Sequence, residues 1–263
     1  MTSIGFNRIL SPSCFTLNFY REILSSKEVY ESFIYTVKIN TISAFISITL
    51  TVVLLFLIFL GKRKNYAHIK LFQKIVESPT FIPYLISAYG ILLVFMKNGI
   101  LHNLFVKFGV LSSNQFPILT NEKYGISIIF TYIWKTLPFM TMMTLPIMFR
   151  VEKKWDSLGK IYNLSSLDFF KKIVLPLILP NLGVSFFIVL SYLFASFETP
   201  YILGVTHPRV LSVLVFDMYA KGSLDLRGKI MVLNILISCL SLIFAGAIYF
   251  IFKYFTKFED REW

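Results

Sequence analysis

The chain has 263 residues, of which 56% are hydrophobic, 28 are Phe and only 15% are charged. A soluble domain carries about 25% charged residues, so the composition excludes a soluble globular protein and indicates an integral membrane protein. In so apolar a chain, the net charge of +12 is read as membrane orientation rather than as a surface for nucleic acid.

Residues 1–32 contain no apolar run long enough for a secretory signal and are expected to form an extracytoplasmic N-terminal segment. Within it, residues 15–20 and the REILSS that follows read either as a short surface helix or as a disordered tail. Five apolar spans follow, at 33–60, 75–96, 124–149, 173–196 and 230–252. Each can supply the ~20 residues that cross a ~30 Å hydrocarbon core. The spans are apolar on all faces, which indicates helices rather than barrel strands. The expected fold is therefore an all-α membrane protein with five transmembrane helices, its prolines lying near span ends, where a helix loses least.

Lys and Arg density sets the orientation. Segments 61–74, 150–172 and 253–263 hold 14 basic residues in 48 positions, against 10 in 92 for 1–32, 97–123 and 197–229. The denser set is expected inside. The N-terminus is then outside and the C-terminus inside, with Asn65 inside and Asn114 outside.

Between the third and fourth spans, Trp155, Leu158, Ile161 and Tyr162 recur at helical spacing and predict one short amphipathic helix over 151–162. Asn163 follows, a residue that tolerates the left-handed conformation ending a helix. Ser165 stands three residues before Asp168, the spacing of an N-cap with an acid in the first turn. A second helix continues through Phe169, Phe170 and Ile173 into the fourth span.

This layout resembles the cytoplasmic coupling loop of permeases of type I binding-protein-dependent ABC importers. The pattern there is E-A-A, three residues, Gly, nine residues, I-x-L-P. Ile173, Leu175 and Pro176 match its second half. Ser157, Leu158 and Gly159 occupy the E-A-A positions and Asn163 the Gly position. Gly to Asn is mild, since both accept the turn; loss of the Glu removes a charge that meets the ATPase, with Asp156 and Glu152 nearby. The alternative is an ordinary basic loop between two membrane helices.

The stretch from Glu198 to Gly204 resembles the F-x-x-P-Y-x-L-G phrase of the polyamine, ferric-iron and thiamine branch of that family. Residues 210–215, Met218, Tyr219, Pro79, Pro83, Gly99 and the F-T-L-x-x-Y phrase at Phe15 match the same branch. In such permeases a further helix usually precedes that phrase. Only fourteen residues precede Phe15, so that helix is expected to be lacking.

The resemblance implies a type I ABC transmembrane domain over 33–255 and a cytoplasmic tail at 256–263. It implies a multi-pass protein of the prokaryotic cell membrane. Its partners would be cytoplasmic ABC ATPase subunits, a second permease forming a homo- or heterodimer, an extracytoplasmic solute-binding protein and the lipid bilayer. The solute would be polyamine-like, ferric iron or another small solute. No cofactor is expected in this chain, ATP and Mg being bound by the ATPase. The alternative function is an ATP-independent channel or secondary transporter.

Lys135 lies in the middle of the third span, where a charge costs ~2.5–3.5 kcal/mol on insertion scales and therefore faces a cavity or a partner. It is read either as lining the translocation path or as a structural pair with a carboxylate or carbonyls. Thr131, Thr136, Ser185, Ser191 and Ser196 are candidate polar lining, although such hydroxyls often bond their own helix. There is no P-loop, G-x-S-x-G or H-E-x-x-H motif, so no catalytic residue is assigned. Cys14 and Cys239 are far apart, with Cys239 inside an apolar span, and give no disulfide framework and no metal spacing; His68, His102 and His207 fall in three different loops, so a shared metal site is not expected.

Overall fold

The computed structural model describes residues 16–64, 66, 68–110, 117, 119–223 and 226–256. Cys14, Phe15, Asn65, Asn114 and the tail at 257–263 lie outside the described residues. All regular structure among the described residues is helical. Five helices are long and apolar enough to cross a membrane, and the chain is a multi-pass membrane protein.

A short helix, α1 (Asn18–Leu24), occupies the segment read as a surface helix. It is followed by α2 (Lys27–Arg63), whose 37 residues extend about 55 Å at 1.5 Å per residue. Helix α2 thus outruns the hydrocarbon core at its ends, where Glu28 occupies the first turn and Lys62 and Arg63 the last. Those charges suit the helix dipole.

The second span differs from expectation. Helix α3 (Ile69–Glu77) stops at a 3-10 turn over Ser78–Phe81, and α4 (Tyr84–Phe95) restarts after Pro83. Pro79 and Pro83 each lack a backbone donor and crowd the preceding turn, so one continuous helix over 75–96 cannot form. The candidate membrane segment is displaced to Tyr84–Lys107. It turns at Asn98, with φ of 66°, before α5 (Ile100–Lys107), which carries His102.

The third span also differs. Helix α6 (Ile126–Ile161) is continuous for 36 residues and contains Pro138 and Pro146. The expected separate helix over 151–162 is its final part, because no Gly or Pro between Phe149 and Leu158 breaks it. The expectation that prolines sit near span ends fails here and at Pro180. Asn181 braces the turn before Pro146, its Nδ2 donating to the Met143 carbonyl at 3.2 Å and the Thr144 hydroxyl at 3.1 Å.

The fourth span starts as α7 (Ser166–Phe169), widens into a π turn over Phe170–Val174, and continues as α8 (Leu175–Ala195). A π turn shifts the hydrogen-bond register just where Pro176 can neither donate nor fit under the preceding carbonyl. Helices α9 (Glu198–Leu203), α10 (Leu211–Ala220) and α11 (Arg227–Thr256) complete the chain.

The chain divides into two compact units. The first takes residues to Ile42, Tyr84–Thr131 and Tyr192–Ile243. Its core gathers Ile23, Val29, Leu211, Leu214, Val232 and Leu233. Buried Thr36 donates to the Ser32 carbonyl and accepts from the backbone of Leu211 at 2.9 Å, and Asn40 donates to the Leu193 carbonyl at 3.1 Å. The second unit takes Ser43–Pro83, Tyr132–Ser191 and residues from Phe244. Its core joins Leu55, Ile58 and Phe59 of α2, Leu145 and Met148 of α6, Phe169 and Phe170, and Ile178 and Leu182 of α8. Ser47 and Thr136 share a buried hydrogen bond of 2.7 Å in it.

Candidate functional site

The end of α6 is built on a reversal that two residues make possible. Asn163 has φ of 47°, the left-handed conformation that closes a helix. The Leu164 amide donates back to the Gly159 carbonyl at 2.9 Å, and the Asn163 amide to the Lys160 carbonyl at 3.1 Å. This is the paired closure of a Schellman motif. Two residues on, Ser165 adopts the extended conformation of an N-cap and its hydroxyl accepts from the Asp168 amide at 3.1 Å. The same hydroxyl lies 2.5 Å from the Asp168 carboxylate. Both the expected turn and the expected cap are present.

Gly159 lets the reversal close tightly. A Cβ added there would stand 2.5 Å from the Phe169 ring, and Phe169 is fully buried in the core of this unit. The position leaves no room for the alanine of the E-A-A pattern. Ser157 and Leu158 are exposed, as are Ile161 and Tyr162. Ile161 and Tyr162 are 79% and 69% accessible, so the tip of α6 presents apolar side chains that nothing in its own unit covers. Ile173 belongs to the π turn, while Leu175 and Pro176 open α8; Ile173 and Leu175 pack against the core.

The two acids considered as substitutes for the missing Glu are both engaged by cations of their own unit. Glu152 is buried and its carboxylate accepts from Lys62 at 2.7 Å. Asp156 pairs with Arg63 at 2.5 Å and with Lys160 at 2.7 Å. Hydrogen bonds from Lys160 and then Arg63 hold the Asp156 carboxyl below the usual carboxylate range. This carboxyl lies on the polar extension of α6, beyond the apolar part that ends at Phe149. The Arg63 guanidinium also lies over the rings of Phe169 and Phe59, at 4.5 and 5.2 Å, and Lys62 lies 4.0 Å over Phe149. Cations over aromatic faces are favourable, and a planar guanidinium suits both stacking and pairing. Sequence reading missed Lys62 and Arg63 as members of this site. The available signal was two cations ending one span and two acids four residues apart after another. An open cleft of about 850 Å³ runs along these pairs, lined by Lys62, Arg63, Glu152, Asp156, Gly159, Lys160 and Asn163 among others.

Lys135 is 3% accessible. Its ammonium donates to the carbonyls of Pro79, at 2.5 Å, and Ile82, with the Thr80 carbonyl at 3.5 Å. These carbonyls belong to the break between α3 and α4, where Pro83 has no amide to offer Pro79 and the Pro79 carbonyl accepts instead from the Ile82 amide at 3.2 Å. The ammonium adds a charged donor to that break. Ser185 is buried and donates to the Leu182 carbonyl of its own helix at 2.9 Å. Thr136 and Thr131 likewise bond their own helix, at 2.8 and 2.7 Å. Ser191 is partly buried and Ser196 buried. Lys135 and Ser185 thus serve different partners, and Thr131 belongs to the other compact unit.

No protein-family model matches the chain. The trehalose/maltose transport system permease protein MalF of Thermococcus litoralis is 26% identical over 220 residues, 82% of this chain and 72% of that one. A chain of the bacterial alginate ABC transporter, crystallised with alginate pentasaccharide-bound periplasmic protein, matches with a TM-score of 0.78 at 18% identity. That match covers 92% of this chain and 84% of the other. A second structure, of a bacterial ABC transporter involved in the import of the acidic polysaccharide alginate, gives 0.76 at 16% identity, over 95% and 86%. The fold is that of an ABC transporter permease. The names of these relatives carry saccharides, and they lend no support to the narrower resemblance to polyamine, ferric-iron or thiamine permeases.

Proposed function

We propose that this chain is the permease subunit of an ABC importer whose solute is a saccharide. The observation that carries the reading is the likeness to a saccharide-system permease over 82% of the chain, together with a permease fold. The chain is a transport subunit and not an enzyme. Its ATP hydrolysis belongs to separate ATPase subunits that bind ATP and Mg, and its other partners are a second permease, identical or related, and an extracytoplasmic solute-binding protein. It sits in the prokaryotic cell membrane with its C-terminus and the 150–172 segment inside.

Coupling follows from the geometry of the α6 tip. Ser157, Leu158, Ile161 and Tyr162 form the face offered to the ATPase, at the exposed end of α6, which a groove can hold. Asp156, Gly159 and Asn163 shape it. Motion of the tip passes to α8 through the capped reversal and through Ile173, Leu175 and Pro176. It passes to α2 through Arg63. Both routes are short and rigid, so closure of the ATPase dimer moves the helix ends as one body. Thr131, Ser185 and Ser191 remain proposed residues of the path, and Lys135, which the sequence leaves as either a path residue or a structural pair, is proposed as the support of the α3–α4 break. With its ammonium engaged by carbonyls, Lys135 gives no reason to favour an anionic solute.

Two measurements bear on this. In a background with Cys14→Ser and Cys239→Ser, Lys123→Cys should react with a membrane-impermeant maleimide in intact cells and Ser157→Cys should not. The reverse pattern contradicts the orientation. A photo-crosslinker at Tyr162 should capture the ATPase subunit in membranes, whereas one at Lys123 should not. Capture from neither position, with the ATPase present, contradicts the docking face.

A further inference from the structure

We propose that Arg150 and Lys154 hold the headgroup of an anionic phospholipid against α6 where that helix leaves the hydrocarbon. A cleft of about 530 Å³ lies there, lined by Arg150, Val151, Lys154, Trp155 and Leu177. The cations stand four residues apart, on one face of the helix. Both are exposed, and neither forms an ion pair among the described residues. Neighbouring Lys62, Arg63, Lys160 and Lys172 are each paired with a carboxylate. Lys154 instead lies 5.6 Å over the Trp155 ring. No acid among the described residues lines the cleft, which leaves its two positive charges for a ligand.

The depth matches a headgroup. The apolar part of α6 ends at Phe149, and Trp155 lies six residues further, about 9 Å along the axis. Trp is enriched at that level of a membrane because its ring is apolar and its N–H polar. Val151 and Leu177, both partly buried, give the start of an acyl chain an apolar wall. A lipid phosphate has the charge the rim lacks, and basic pockets between membrane helices suit such headgroups. A soluble anion would use the two cations but not the wall. The proposal needs only that the chain crosses a membrane, and it stands or falls independently of coupling to an ATPase.

The test uses the purified full chain in detergent with phosphatidylglycerol or phosphatidylcholine added in equal amounts, read by native mass spectrometry. The wild type should retain phosphatidylglycerol in preference. The double variant Arg150→Gln/Lys154→Gln should lose that preference by about 30-fold at low salt, as expected for two cations near a membrane surface. Lys97→Gln/Lys107→Gln, which removes the same charge elsewhere, should keep it. Retention equal in both double variants would overturn the proposal. So would a loss of dimer mass in Arg150→Gln/Lys154→Gln without a change in bound lipid, which would assign the face to a second copy of the chain.

Discussion

Asn163→Val is expected to give a membrane-inserted permease that binds its ATPase about 5–30-fold more weakly, while Asn163→Gly stays near wild type. Asn163 holds φ of 47°, and an L-residue in that region costs roughly 1–2 kcal/mol, with β-branched residues the worst case. Glycine carries no such cost. The strain cannot be relieved locally. Moving Asn163 out of the left-handed region breaks the bond from Leu164 to Gly159 and re-aims Ser165, whose cap starts the next helix. It also lifts Gly159 off the Phe169 ring, against which no larger residue fits. The five apolar helices are untouched, so insertion should be normal. Co-purification of the ATPase with the Val and Gly variants side by side is the check, and equal yields would make Asn163 an ordinary loop residue.

Lys135→Met is expected to lower stability by on the order of 2 kcal/mol. The carbonyls of Pro79, Thr80 and Ile82 lose their ammonium, with only Pro79 keeping a backbone donor among the described residues, the Ile82 amide, and an acceptor left unmade away from water costs roughly 1–3 kcal/mol. Relief from burying a charge offsets about 2.5–3.5 kcal/mol of that total. The protein that survives should show wild-type solute preference. A thermal-shift assay in detergent, paired with uptake in vesicles, separates the possibilities. A variant of normal stability with altered solute preference would make Lys135 a path residue rather than the support of the α3–α4 break.

The helical membrane class was legible because apolar runs of this length have few other solutions. The reversal at 159–168 was legible because its chemistry is local: Asn163, Ser165 and Asp168 each act on backbone within a few residues. The second span was misjudged because hydropathy continues across Pro79 and Pro83 although the backbone cannot. The separate helix at 151–162 was misjudged because a change from apolar to charged faces does not end a helix when no breaker intervenes. The partners of Lys135 lie 53 to 56 residues before it, and those of Asp156 and Glu152 include residues at the end of α2 some 90 positions away. No periodicity encodes such pairings. The exposed tip at Ile161 and Tyr162 became visible only once the rest of α6 had found its core.

The central claim is that this chain moves solute only when a separate ATPase engages the α6 tip. The most direct measurement reconstitutes the chain with its ATPase and second permease in proteoliposomes and follows ATP hydrolysis as solute-binding protein loaded with saccharide is added. Hydrolysis should rise with the loaded binding protein, stay at its basal level with the empty one, and lose its stimulation when Asn163→Val replaces the wild-type chain. Saccharide uptake that proceeds without the ATPase, or hydrolysis indifferent to the Asn163→Val change, would contradict the account.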